Sequence, residues 1–73
     1  MAEVKVLSEL HATVWKIEVV PGDRVAEGDT LLLLESMKME IPVTAPRDGT
    51  VTAILVTEEQ PVVEGEPLAT LES

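Results

Sequence analysis

One lysine lies between two methionines at a position where a hairpin turn is expected. Lys38 is flanked by Met37 and Met39, and apolar segments at residues 31–34 and 41–43 enclose the triplet. Tight hairpin turns favour Asn, Asp or Gly, because these residues tolerate a positive φ. Bulky residues at such a turn indicate that the strained conformation is retained because it serves a function. Two interpretations stay open: Lys38 is a site of covalent acylation, or it is a solvated lysine between gap-filling methionines.

An acceptor lysine needs an exposed amine that attacks in its neutral form. Lysine side chains are protonated at neutral pH, so the modifying enzyme must remove the proton. Carboxylates near an amine favour its charged form. Glu35 and Glu40 are therefore interpreted as recognition contacts or solvating charge, and no residue of the chain is predicted to be catalytic.

Composition excludes several other classes of site. The 73 residues contain no cysteine and one histidine, His11, so neither a disulfide framework nor a multi-histidine metal centre is predicted. A formal net charge of −9 would repel a phosphate backbone, so we expect no nucleic-acid partner. The longest apolar run, residues 31–34, is far too short to span a membrane. With no sign of a secretion signal, we expect a cytoplasmic protein without a membrane partner.

An internal repeat organises the chain. When residue n is aligned with residue n+37, residues 13–36 match residues 50–73 without a gap, and 11 of the 24 pairs are identical. Glu27-Gly28 recurs as Glu64-Gly65 in this register. Two copies are too few for a solenoid and must share one core, which indicates a pseudo-twofold arrangement.

Each repeat has the pattern of short strands between turns. Residues 15–19 alternate apolar and polar with period two, which predicts a strand with one buried face. Pro21-Gly22-Asp23 predicts a turn, because Pro presets φ at the first central position and Gly permits a positive φ at the second. Residues 45–49 predict the crossover between the repeats. An all-β sandwich or flattened barrel is therefore expected.

The repeat also predicts where the lysine lies. Subtracting 37 from 38 gives 1, so Lys38 corresponds to Met1, while Ser36 corresponds to Ser73. The hairpin that carries Lys38 should then lie at one end of the molecule, and the two chain ends should lie together at the other. Such an arrangement suits a group that must move between sites.

The segment Glu35-Ser36-Met37-Lys38-Met39 resembles the attachment motif of biotinyl domains in biotin-dependent carboxylases. The resemblance extends over residues 13–16, 20–25, 27–31 and 45–51, and so covers nearly the whole chain. It is strongest to the small stand-alone biotin/lipoyl attachment proteins. It implies a flattened barrel of two four-stranded antiparallel sheets with pseudo-twofold symmetry and the lysine on a hairpin tip. Residues 1–73 would form a single attachment domain, with repeats at about 1–36 and 37–73.

The resemblance also implies a function. Lys38 would carry biotin in amide linkage, added by a biotin protein ligase, with Met37 and Met39 serving ligase recognition and biotin positioning. Glu35, Ser36 and Glu40 would be further ligase contacts. The domain would carry carboxybiotin between the biotin carboxylase and carboxyltransferase components of a carboxylase, as a monomeric carrier and not an enzyme.

Two other functions remain possible for this fold, and the sequence differs from the expected pattern at two turns. A lipoyl carrier, or one that takes both cofactors, has the same fold, but lipoyl domains usually show Asp-Lys-Ala at the tip; an unmodified interaction module is the third possibility. Ala12 stands where the second repeat has Gly49. If that turn needs a positive φ, either Ala12 is strained by about 1 kcal/mol or the backbone differs there. Residues 58–60 mirror the turn at residues 21–23 only loosely.

Overall fold

The computed structural model describes residues 2–73, which form two four-stranded antiparallel sheets. The strands are β1 (Glu3–Leu7), β2 (Ala12–Ile17), β3 (Arg24–Val25), β4 (Thr30–Ser36), β5 (Met39–Thr44), β6 (Gly49–Ile54), β7 (Pro61–Val62) and β8 (Pro67–Glu72). The sheet with order β1-β8-β6-β3 holds both terminal strands and is called the terminal sheet; the sheet with order β5-β4-β2-β7 is called the lysine sheet. None of these residues forms a helix that could cross a membrane. The all-β prediction with two four-stranded antiparallel sheets is confirmed.

The strand order shows the pseudo-twofold symmetry that the repeat predicts. A shift of 37 residues converts β2, β3 and β4 into β6, β7 and β8, and a shift in the other direction converts β5 into β1. The order β5-β4-β2-β7 then becomes β1-β8-β6-β3, which is the order of the other sheet. Lys38 corresponds to Met1, which lies outside the described residues.

Equivalent residues of the two repeats fill the core. Val14 and Leu34 point inward from the lysine sheet and are fully buried, and their counterparts Val51 and Leu71 point inward from the terminal sheet with at most 1% of their surface exposed. Each such side chain stabilises the fold by about 1.5–3 kcal/mol through burial. The core is therefore built from aliphatic side chains supplied by both sheets.

A β-bulge breaks the period-two alternation predicted for residues 15–19. Val14 lies opposite Leu34, but Lys16 lies opposite the next residue, Leu33, so Trp15 is an extra residue of β2. A bulge places two consecutive residues opposite one on the partner strand. Trp15 therefore points outward with Lys16 and is 46% exposed, whereas Ile17 returns to the core. The period-two pattern, which would put Trp15 on the same face as Ile17, is interrupted for this reason.

The turns before β3 and β7 have the same hydrogen bonds although their sequences differ. In the first turn, Asp23 Oδ2 accepts a hydrogen bond from the backbone N–H of Val20 at 3.1 Å. In the second, Gln60 Oε1 accepts one from the backbone N–H of Thr57 at 3.0 Å. The correspondence that looks loose in the sequence is close in the structure, because an amide oxygen takes the place of a carboxylate oxygen.

Glu59 occupies the position that glycine holds in the first repeat. Gly22 has a φ of 101° and Glu59 a φ of 72°. A side chain with a β-carbon is strained in this left-handed region. Replacing Glu59 with glycine should therefore raise the free energy of unfolding by about 0.5–1 kcal/mol, after the added flexibility of the unfolded chain is subtracted.

Thermal or chemical unfolding of Glu59→Gly measures this effect, and Gly22→Ala is its matched control. A β-carbon on Gly22 would meet no atom within 4 Å, so that variant reports backbone conformation alone and should be destabilised by a similar amount. A Glu59→Gly protein less stable than the original would contradict the strain at this turn.

The condition under which Ala12 would be strained, a positive φ at this position, is not met in either repeat. Neither residue is among those with a positive φ, and both begin strands in the extended region. Glycine is required at position 49 for space, because a β-carbon there would lie 2.8 Å from the carbonyl oxygen of Glu72. Ala12 is buried at the equivalent place, so the first repeat accommodates the additional carbon.

The register of the strands separates the lysine hairpin from the chain ends. Strand β1 begins at Glu3, opposite Glu72, and leads away to Leu7, opposite Pro67, over roughly 15 Å. The short segment 8–11 then reaches β2, where Thr13 lies opposite the hairpin strand β4. Residues 2 and 73, which exchange backbone hydrogen bonds, thus lie at the far end of a molecule whose long dimension is 36 Å.

Candidate functional site

The tip of the β4–β5 hairpin has a backbone conformation that its residues do not favour. Ser36 pairs with Met39, so Met37 and Lys38 are the two central residues of a two-residue turn. Their φ values are 52° and 66°. Two-residue hairpins need positive φ at both central positions in a type I′ turn, and Asn-Gly is the usual sequence there. The fold therefore holds a methionine and a lysine in a left-handed conformation that costs about 1–2 kcal/mol per residue.

The turn displays all three side chains of the Met37-Lys38-Met39 triplet. Met37 is 92% exposed and Met39 is 65% exposed, so neither fills a gap in the core. Lys38 is also exposed. Among residues 2–73 the salt bridge found joins Lys16 to Glu18 at 3.8 Å, and the Lys38 amine has no ion-pair partner. The interpretation of the methionines as buried gap fillers is thereby excluded.

Three polar residues flank the tip of the hairpin. Glu35 and Glu40 lie directly opposite each other and are both exposed, so two like charges face each other one row before the turn. Such a pair destabilises a hairpin. The hydroxyl of Ser36, which is half-buried, lies 3.5 Å from the carbonyl oxygen of His11 and connects the hairpin to the adjacent loop. The six residues singled out by the sequence are thus contiguous at one end of the molecule.

The hairpin tip is a protruding surface and not the wall of a pocket. A groove with a volume of about 270 Å³ opens between edge strands β1 and β5 and is lined by Leu10, Leu34 and Ile41 among others. Its lining on β5 begins at Ile41 and includes no residue of the tip. Chemically, the site offers one accessible amine on a rigid hairpin, between two flexible apolar thioethers. This arrangement can be bound and modified by another protein.

The sequence did not identify a second feature of this sheet. Leu33 and Pro42 lie opposite each other on the outer side of the lysine sheet, Lys16 lies opposite Leu33 on the other side, and the bulge adds the outward-pointing Trp15 next to Lys16. The signal was hidden because Leu33 belongs to a run of four leucines that reads as fully buried. Only the bulge positions show which of these side chains point outward.

Comparisons with known proteins agree with this geometry. A family model described as "Biotin-requiring enzyme" matches residues 4–71. The chain is 40% identical over 63 residues to the biotin/lipoyl attachment protein of Bacillus subtilis, and the aligned region covers 86% of each chain. It is 42% identical over 71 residues to the biotinylated protein TB7.3 homolog of Mycobacterium leprae, which covers 97% of this chain and 99% of the relative.

A solved structure has the same fold. The crystal structure of the Kluyveromyces lactis urea carboxylase matches 99% of this chain with a TM-score of 0.92 and 30% sequence identity. The match covers 6% of the carboxylase chain. The present chain therefore spans a small part of that enzyme, but nearly the whole length of the two small relatives.

Proposed function

The chain belongs to the biotin/lipoyl attachment family, and on that premise we propose that it is a biotin carrier domain modified at Lys38. The observation that carries the proposal is the turn conformation of Met37 and Lys38. Both residues keep a positive φ that Asn-Gly would adopt with less strain. A sequence selected for stability alone would not retain them, which supports selection for the exposed lysine and methionine side chains.

The attachment step requires little of the carrier itself. The Lys38 amine attacks the acyl carbon of an activated biotin, an amide bond forms, and the activating group leaves with its bonding electrons. The amine gives up its protons to a base of the ligase, because the carrier's own residues supply none. Lys38 presents the amine, and the hairpin holds it at a fixed place. Met37 and Met39 offer the ligase an apolar contact on either side.

The carrier would then move the cofactor between two active sites. When bound, biotin supplies the ureido ring that collects CO₂ at one site and delivers it at another. The opposite placement of the hairpin and of residues 2 and 73 supports this role, since a partner or tether near the ends leaves the lysine free to enter an active site. We propose that the partners are a biotin protein ligase and the biotin carboxylase and carboxyltransferase components of a carboxylase, and that the domain is not itself an enzyme.

Mass spectrometry tests the proposed function directly. The purified chain is incubated with biotin, ATP and a biotin protein ligase, and in parallel with lipoate, ATP and a lipoate ligase. We expect one biotinyl group per chain, mapped to Lys38 by peptide analysis. Lipoylation alone would replace the proposal by a lipoyl carrier. No modification by either ligase would favour an unmodified interaction module.

The like-charge pair of the hairpin gives a further prediction. Glu40→Lys turns the Glu35–Glu40 pair into an opposite-charge pair and should stabilise the fold by up to about 1 kcal/mol. If Glu40 contacts the ligase, the same variant should lower kcat/KM for biotinylation. Stability is measured by unfolding at low ionic strength, where exposed charges are least screened, and modification by the rate of biotin incorporation.

The other repeat supplies the control for Glu40→Lys. Glu3 is the counterpart of Glu40 and lies opposite Glu72, which is the counterpart of Glu35. Glu3→Lys should stabilise the fold by a similar amount and leave biotinylation unchanged. Equal rates for the two variants would show that Glu40 is not a ligase contact.

A further inference from the structure

The outer faces of the two sheets differ although their backbones are equivalent. On the lysine sheet, Leu33 lies opposite Pro42 and opposite Lys16, and the bulge residue Trp15 next to Lys16 also points outward. The three apolar residues of this face, Trp15, Leu33 and Pro42, are called here the outer patch. The equivalent positions on the terminal sheet are occupied by Thr52, Thr70 and Lys5. The two threonine hydroxyls there are 2.6 Å apart and hydrogen-bonded. The backbone of this fold therefore accepts polar residues at these positions.

The outer patch is therefore apolar without a structural requirement. Trp15 is 46% exposed, Pro42 is exposed and Leu33 is half-buried. Other apolar side chains, such as Leu55 and Val63, are as exposed as Trp15, but tryptophan is the residue type most enriched at the centres of protein interfaces. The internal repeat excludes the explanation that every outward row of this fold must be apolar.

The outer patch is separated from the modification site by a single row of outward side chains. The row formed by Glu35 and Glu40 lies between the outer patch and the hairpin tip, on the same side of the same sheet. Leu33 precedes Met37 by four residues, a distance of about 13 Å along an extended strand. A standard interface buries about 800 Å² on each partner and is wide enough to cover the tip and the outer patch together.

We propose that the outer patch is the docking surface for the biotin protein ligase, with Trp15 as its largest apolar contact; this inference rests on the proposed function of Lys38. The bare lysine side chain extends only about 6 Å from the backbone, so the ligase must bring its active site against the hairpin itself. A carboxylase site meets the far end of the longer biotinyl arm and does not need this contact. The ligase is thus the partner whose body must lie over the face next to the hairpin.

Charge defines the surface that the ligase should present. The outer patch is bordered towards the tip by Glu35 and Glu40, and the whole chain has a formal net charge of −9. A complementary partner has an apolar depression for Trp15 with lysine or arginine residues on the side that faces the tip. Attraction of this kind raises the association rate and is weakened by salt.

The test copies the polar row of the terminal sheet onto the lysine sheet. Trp15→Thr and Leu33→Thr install the residues found at the equivalent positions 52 and 70, so the backbone is known to accept them. Loss of the tryptophan contact should raise the KM of the ligase for the carrier roughly tenfold or more. The maximal rate with saturating carrier should change little, because Lys38 and its turn are intact.

The matched control is Thr52→Trp, which adds the same side chain to the wrong face and should leave KM unchanged. Thermal unfolding of each variant shows whether it is folded. An unchanged KM in folded Trp15→Thr and Leu33→Thr proteins would overturn the docking surface, as would an equal rise of KM in Thr52→Trp. Biotinylation of the original chain is measured first: its absence refutes the proposed function, whereas its presence with an unchanged KM in the variants refutes only the docking surface.

Discussion

Replacing Lys38 with arginine is expected to abolish biotinylation of the chain. The guanidinium group of arginine stays protonated and does not take the place of an amine as a nucleophile. Arginine keeps the positive charge and the length of the side chain, so the turn and the fold should be preserved. The measurement is the intact mass after incubation with biotin, ATP and a biotin protein ligase, which should show no addition.

The two remaining lysines provide the control for this result. Lys5 lies on β1 and Lys16 on β2, and both are exposed. Lys5→Arg and Lys16→Arg should each take one biotinyl group at the rate of the original chain. Biotin found on folded Lys38→Arg protein would show that exposure alone is enough for modification and that the hairpin does not select the lysine.

The sequence predicts the fold well because the chain contains two copies of one repeat, which can be compared with each other. The repeat of 37 residues requires two equivalent units around one core, and short strands between glycine-containing turns leave few all-β arrangements. The same repeat places Lys38 opposite the chain ends without reference to any other protein. The structure confirms the two-sheet architecture and gives the hairpin the turn that the bulky tip residues had indicated.

The structure departs from the sequence prediction at turns where different residues adopt the same conformation or make the same hydrogen bond. Glu59 adopts the positive φ for which Gly22 is chosen, and Gln60 makes the hydrogen bond that Asp23 makes. The surrounding strands fix the turn, so its backbone is kept despite the strain at Glu59. Sequence identity between the two turns therefore underestimates the similarity of their backbones.

The outer face could not be predicted for a different reason. Period-two alternation assigns each residue of a strand to one side, but a single bulge reverses the assignment for every residue beyond it. The bulge at Trp15 leaves that side chain on the surface, although Ile17 two residues later is directed to the core. Apolar residues around it read as core in the sequence, so the part of the surface most suited to binding another protein was the least visible.

The choice between biotin and lipoate depends on the two methionines, and a double replacement tests it. Met37→Asp with Met39→Ala creates the Asp-Lys-Ala tip that is usual in lipoyl domains. Both methionines are exposed, so the core should be unaffected. Aspartate also tolerates the left-handed conformation at position 37 better than methionine does. We therefore expect a folded protein of equal or slightly greater stability.

The double variant should lose most of its biotinylation and gain lipoylation. Removing two exposed thioethers takes away the apolar contact on both sides of Lys38, and a loss of about 1.4 kcal/mol or more in ligase binding lowers kcat/KM at least tenfold. Rates with each ligase and its cofactor are compared with those of Met37→Leu, which keeps an apolar side chain of similar size and should remain a biotin acceptor. Unchanged biotinylation of the double variant would mean that the ligase selects the backbone position of the lysine and not its neighbours. In that case the strained turn alone, and not the thioethers that it displays, would define the attachment site.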